Sequence, residues 1–252
     1  MKELLPEKPP LEGQKRLKVL CCGSMRREAY HCAQNSRNIV DVEIVARKMH
    51  DTPVKLREHL AERLAVSSDA DGLSYDAILL GYGLCSRAIA GLSSPVPLVA
   101  MRAHDCATIL LGSRQKYREL FDAGGGIFWY SQGWIETSLM PGREKQERIS
   151  AAYAEKYGAE QAKYLLEFEQ GWVKRYSKAY FIRWPQFETA EYEAYTKACA
   201  DYLGWQYRAV EGSSALMQKM FDGLWDEDFI VARGGEQIAA SNCADKIIQL
   251  KI

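Results

Sequence analysis

The first half of the chain alternates between short apolar runs and longer, charged, helix-like stretches, and this alternation restricts the fold more than any other feature. Strand-type runs occur at 16–22 (RLKVLCC), 40–47 (VDVEIVAR), 75–83 (YDAILLGYG), 96–103 (VPLVAMRA) and 125–131 (GGIFWYS). Helical stretches separate them. The clearest, 51–68, carries Pro53 near its start and Leu56, Leu60 and Leu64 on one face, an N-terminal signal followed by an amphipathic stripe. Parallel neighbours cannot be joined by a tight hairpin, so strands alternating with helices imply a parallel sheet with helical crossovers. Right-handed crossovers make a doubly wound, flavodoxin- or Rossmann-like α/β arrangement the default, with strand order 2-1-3-4-5.

Beyond residue 142 the pattern changes. Two charge-rich amphipathic stretches lead into a second, smaller alternation with strands at 178–184, 205–210 and 228–233 and helices near 187–203 and 213–224. The expected organisation is a flexible N-terminal arm over 1–15, a first α/β lobe over 16–142, and a helical connection with a second, smaller α/β lobe over 143–252. No internal repeat or low-complexity tract interrupts this.

Composition narrows the function classes. The 252 residues are 47% hydrophobic and 26% charged, with 33 basic residues against 33 acidic ones. A neutral balance argues against a nucleic-acid partner, which calls for a basic surplus. No apolar run approaches the roughly 18–20 residues that span a membrane, and the Pro-rich start has no signal-peptide core. A cytoplasmic protein is expected. In that reducing compartment the seven cysteines are free thiols or metal ligands, not a disulfide framework.

Three of these cysteines stand at strand ends, where open parallel sheets bind ligands. Cys22 ends the first run, before Gly23; Cys85 follows the third; Cys106 follows the fourth, after Arg102, His104 and Asp105. In the 2-1-3-4-5 order, strands 1, 3 and 4 are neighbours about 4.8 Å apart, so the three thiols are expected to converge within roughly 10 Å, with His50 approaching from the flank. Each cysteine precedes a candidate helix, whose dipole favours the ligating thiolate. Cys22, Cys85, Cys106 and His104 suit tetrahedral Zn²⁺; three thiolates alone suit a [4Fe–4S] cluster with one open iron. His104 is fourth ligand or acid/base group, Asp105 orients the imidazole or caps the helix, and His50 is a further candidate. The competing reading is that these are small buried hydrophobes, the commonest state of free cysteine; Cys32, Cys199 and Cys243 are assigned to it, while Cys21 alternates with Cys22 across the strand, so only one of them, Cys22 by preference, aims into the site. Arg87 and Arg102 are candidates to hold an anionic group, with an ion pair to Asp51 or Asp105 as the alternative. Trp129 is a candidate cover for a flat cofactor, or aromatic core. The turn GYGLCSRAIAG matches neither a dinucleotide fingerprint nor a P-loop.

The stretches LCCGSM, MHDTP, GYGLCS and RAHDC, with the tail of FWYSQGW, resemble domain-of-unknown-function family 1638, found in methanogenic archaea and anaerobic bacteria. The family's features fall at Cys22-Gly23, His50-Asp51, Cys85 and His104/Cys106, and the resemblance spans roughly 16–235. Two departures stand out: Asp105 separates His104 from Cys106, and Cys85 is followed by Ser86 and Arg87 where relatives are Gly-rich. The resemblance implies a place near corrinoid-dependent methyltransferase systems, hence anaerobic one-carbon metabolism with a corrinoid or a methyltransferase protein as partner. A zinc enzyme, a [4Fe–4S] enzyme and a non-catalytic corrinoid- or metal-delivery protein are the three expectations. The Asp-x-His-x-x-Gly corrinoid signature is absent around His50 and His104.

Overall fold

Ten strands and nine α-helices alternate along the residues that the computed structural model describes, 11–124, 126–243 and 246–251. The first ten residues of the expected N-terminal arm, and Gly125 of the expected fifth strand, lie outside them. The strands are β1 (Arg16–Cys22), β2 (Ile39–Val45), β3 (Ala77–Gly81), β4 (Leu98–Met101), β5 (Ile127–Ser131), β6 (Lys178–Arg183), β7 (Gln206–Glu211), β8 (Phe229–Ala232), β9 (Ile238–Ala240) and β10 (Ile248–Leu250). The helices are α1 (Arg26–Asn35), α2 (Pro53–Leu64), α3 (Cys106–Leu111), α4 (Arg114–Asp122), α5 (Gln132–Thr137), α6 (Arg143–Tyr157), α7 (Ala159–Glu169), α8 (Ala190–Leu203) and α9 (Ala215–Phe221). The protein is mixed α/β with mainly parallel sheets.

The chain divides into two compact units. The first takes the residues up to Cys22, then Arg26–Asp105, and those from Leu216 on. Its sheet has the order β2-β1-β3-β4-β8. The first four strands pair in parallel, in the expected order 2-1-3-4. The fifth position differs from expectation. It is taken by β8, antiparallel to β4 with Met101 opposite Phe229, whereas the sequence reading put 228–233 in the second lobe and 125–131 at this edge.

Every residue of β3 and β4 is buried, which is why both read as unbroken apolar runs. Helix α2 opens with Pro53 in its first turn and buries Leu56, Leu60 and Leu64, each worth about 1.5–3 kcal/mol of transfer free energy. One cation sits inside β1. Lys18 is buried, and its ammonium donates to the Arg63 carbonyl at 2.7 Å and lies 3.6 Å from Glu43. Arg63 in turn grips Glu43 through two nitrogens at 2.5 and 2.9 Å. The network ties β1, β2 and α2 together and satisfies a charge that burial alone would penalise.

The second unit takes Gly23–Met25 and Cys106–Ala215. Strands β5, β6 and β7 form a parallel sheet with Tyr130 opposite Phe181 and Phe181 opposite Ala209. The aromatic side chains of β5 account for its departure from the first sheet. Tyr130 is completely buried with Phe181, Ala200 and Trp205, and Phe128 packs against that cluster. The Tyr130 hydroxyl donates to the Pro141 carbonyl at 2.8 Å. Helix ends follow local chemistry: Ser113 caps α4 by accepting from the Lys116 amide, Ser131 caps α5 by accepting from the Trp134 amide, and Gly204 ends α8 with φ +69°, as expected for hydroxyl N-caps and a left-handed C-terminal glycine.

Candidate functional site

In the first unit, β1 and β3 run side by side in parallel and end together, with Cys21 opposite Gly81. The two adjacent cysteines of β1 differ in setting. Cys21 points at Gly81, where an added Cβ would lie 2.8 Å from its Sγ. Complete burial holds its pKa well above the ordinary value, with Cys22, Glu28 and Cys32 adding to the effect. Cys21 is therefore a core thiol. Cys22, also buried, is the last residue of the strand.

Past β3 the chain turns through Tyr82, Gly83, Leu84 and Cys85. Gly83 is required here: a Cβ on it would meet the Asp105 backbone nitrogen and Cα at 2.7 Å. The Leu84 amide donates to the Ala103 carbonyl at 2.9 Å. The turns after β3 and β4 thus lie backbone on backbone. Cys85 is half-buried, with its Sγ 3.8 Å from the Gly83 carbonyl oxygen. Burial first, then the Asp105 carboxylate and the Cys22 thiol, push the Cys85 thiol up to about 12. Tyr82, buried between two glycines, is also driven upward by burial and by Cys22, Cys21 and Cys85. Cys22 is a neighbour felt by both Cys85 and Tyr82, and in this low-dielectric environment the Cys85 thiol stays protonated.

Around this pair, His104 is exposed and Asp105 half-buried. His50 sits in the turn Arg47–Asp51, half-buried, where Arg47 pairs with Asp51 at 3.2 Å. Burial and then the Arg47 charge lower its pKa against the opposing pull of Asp51, which leaves a neutral imidazole at pH 7, the form that ligates metals. Arg87 is exposed, with φ +55°, an uncommon conformation for a residue with a Cβ. Arg57 holds this turn, donating to the carbonyls of Arg87 at 2.8 Å and Ala88 at 3.3 Å. Arg102 is engaged with backbone: its guanidinium donates to the carbonyls of Phe229 at 3.2 Å, Lys246 at 2.8 Å and Ile248. It fastens the C-terminal strands.

The other expected residues belong to the second unit. Cys106 is the first residue of α3, and the Trp134 indole nitrogen donates to its Sγ at 2.9 Å. Gly23 opens a buried turn whose Ser24 carbonyl lies against Gly133, only 2.0 Å from where a Cβ would stand. Trp129 stacks on Tyr117 at 6.0 Å and meets Tyr180 edge-on at 5.8 Å, so it works as packing for α4 and β6.

Among the described residues, no three His, Cys, Asp or Glu side chains are grouped so as to hold a metal ion. Sequence reasoning missed Tyr82 and Arg57, and it did not anticipate the Trp134–Cys106 bond. Only Tyr82 left a trace, since a tyrosine between two glycines marks a place of close backbone approach. No helix among the described residues is long and apolar enough to cross a membrane.

A family model described as a protein of unknown function, DUF1638, matches residues 44–221. Neither the curated proteins nor the solved structures contain a match to the chain.

Proposed function

On the premise that the chain belongs to this DUF1638 family, we propose that it is a metal-dependent cytoplasmic enzyme of corrinoid-linked, anaerobic one-carbon metabolism, with Cys22 and Cys85 as its soft-metal donors. The observation that carries this reading is the environment of Cys85. Burial, Asp105 and Cys22 together hold its thiol up to about 12. A thiol so placed is a poor free nucleophile, because the thiolate is the reactive form. The same features favour a bound cation: two sulfurs at adjacent strand ends, a nearby carboxylate charge, and limited water. Zn²⁺ is the first candidate, as a d¹⁰ ion with high affinity for thiolates; when bound it supplies Lewis acidity.

The chain's own groups then have definite tasks. Cys22 and Cys85 would hold the metal, as thiolates. Asp105 adds negative charge beside the cation. His104, exposed next to Asp105, exchanges protons with substrate or solvent, and His50, its pKa lowered by burial, offers a neutral imidazole. Arg87, exposed beside Cys85, holds an anionic group of the substrate. Cys106 lies in the other unit, bonded by Trp134, and is not needed for this assignment. None of the seven cysteines is in a disulfide, which fits a reducing compartment. The parallel order β2-β1-β3-β4 supports reading the first unit as a doubly wound, Rossmann-like lobe and the second as a smaller lobe, with the thiols at the strand ends where such sheets bind ligands.

The test is metal and acid-labile sulfide content of protein purified without oxygen, as wild type and as Cys85→Ala. About one zinc per chain in the wild type, lost in the variant, is the expected result. Iron with matching sulfide replaces zinc by a cluster. Neither metal in two folded proteins refutes the assignment and leaves the thiols as core.

A further inference from the structure

The second unit contains a cavity of about 810 Å³ that uses none of the candidate site residues described above. Helix α6 contributes Lys145 and Ile149, α7 contributes Leu166 and Phe168, and the turn after α7 contributes Trp172 and Arg175. Its size falls in the range of small-molecule sites, roughly 300–1,000 Å³. Its lining is mostly apolar, and part of that apolar surface is left in water: the Phe168 side chain is 79% exposed. Trp172 is fixed from below, tilted against Phe128 at 5.9 Å and edge-on to Tyr176 at 5.8 Å. The lining also holds two cations against one carboxylate, Glu167. The Lys145 ammonium stands 5.4 Å from the Trp172 ring centroid. Neither Lys145 nor Arg175 pairs with a carboxylate among the described residues.

We propose that this cavity binds an amphipathic carboxylate, an acyl chain seated on the aromatic and aliphatic lining with its head group held by Lys145 and Arg175. Neutral apolar ligands satisfy the lining but leave the cations without a counter-charge. Cationic amphiphiles place like charge against them. An anionic head with an apolar tail answers both features, and the cation–π pair keeps Lys145 positioned over the floor. Burying apolar surface supplies the affinity, and the cations supply the head-group preference.

The experiment titrates the intact protein with dodecanoate, dodecanol and dodecyltrimethylammonium, each below its micellar concentration. Tryptophan fluorescence and calorimetry provide the readout. Dodecanoate is expected to bind at least tenfold more tightly than dodecyltrimethylammonium, with dodecanol between them. Reversing both charges, with Lys145→Glu and Arg175→Glu together, is expected to invert that order. Phe168→Ala is expected to weaken all three ligands alike, and Cys85→Ala to change none of them. Equal binding of the three ligands, or no binding of dodecanoate, overturns the proposal. The comparison of head groups on the unaltered protein decides the matter even if the charge-reversed chain fails to fold.

Discussion

Cys85 offers the sharpest test of how the thiol site is built. Its thiol is pushed up from an ordinary 9.0 to about 12 by burial, Asp105 and Cys22, in that order. At pH 8 an ordinary thiol is about one-tenth ionised, whereas one at 12 is ionised to about one part in ten thousand. The reaction of metal-free protein with iodoacetamide should therefore be roughly a thousandfold slower at Cys85 than at an ordinary thiol, since only the thiolate attacks. Restricted access also slows alkylation, so the level alone does not decide. The pH profile does: the logarithm of the Cys85 rate should climb with unit slope from pH 7 to beyond pH 10, with no plateau. Peptide mass spectrometry follows each site, and exposed Cys243 serves as the reference in the same sample. Asp105→Asn removes the second of the three causes and should raise the Cys85 rate at pH 8 by on the order of tenfold. The sign also applies to stability. A thiol raised on folding favours the folded state below pH 9 and loses that contribution as the pH rises from there toward 12. A plateau by pH 9–10, or no response to Asp105→Asn, refutes the account of the site.

Other perturbations probe the scaffold. Gly133→Ala would set a methyl group 2.0 Å from the Ser24 carbonyl oxygen, with backbone on both sides; a loss of about 3 kcal/mol or more is expected, while Gly171→Ala, which meets nothing within 4 Å, should leave the melting temperature unchanged. Leu60→Ala in the fully buried stripe of α2 should cost about 2–5 kcal/mol in urea titration. Glu43 is raised by burial but more than offset by the Arg63 hydrogen bond and the Lys18 charge, so its pKa ends below the ordinary value of 4.5. Glu43→Gln should therefore lower the melting temperature at pH 7 and lose its effect as the pH falls through that lowered pKa, where the wild-type carboxylate is protonated too; an equal loss at pH 7 and pH 2 refutes the ionic role.

The parallel core was legible in the sequence because buried parallel strands have no polar face: β3 and β4 announce themselves as apolar runs, as does β1 apart from Arg16 and Lys18. Leu56, Leu60 and Leu64 were legible for the analogous helical reason. Strand partners were harder. FIVA in β8 and IFWY in β5 look equally like interior strands, and nothing local says that the first pairs with β4 and the second with β6. That choice is made by packing, with Tyr130 and Phe128 drawn to Phe181 and Trp205. At the site, alternation placed Cys22 and Cys85 at strand ends. Arg102 misled because a guanidinium that binds three carbonyls leaves no complementary residue to notice. The Trp134–Cys106 bond joins different helices, so spacing could not reveal it.

The pairing of β4 with β8 has a consequence for the order in which the protein is made. Residues 106–215 leave the ribosome while the edge of β4 still has no partner, because Phe229 and the strand it begins have yet to be synthesised. The first sheet is completed only once β8 has been made. A chain stalled or cleaved before Phe229 would keep the outer edge of β4 open to other nascent chains, the arrangement that seeds strand-to-strand aggregation.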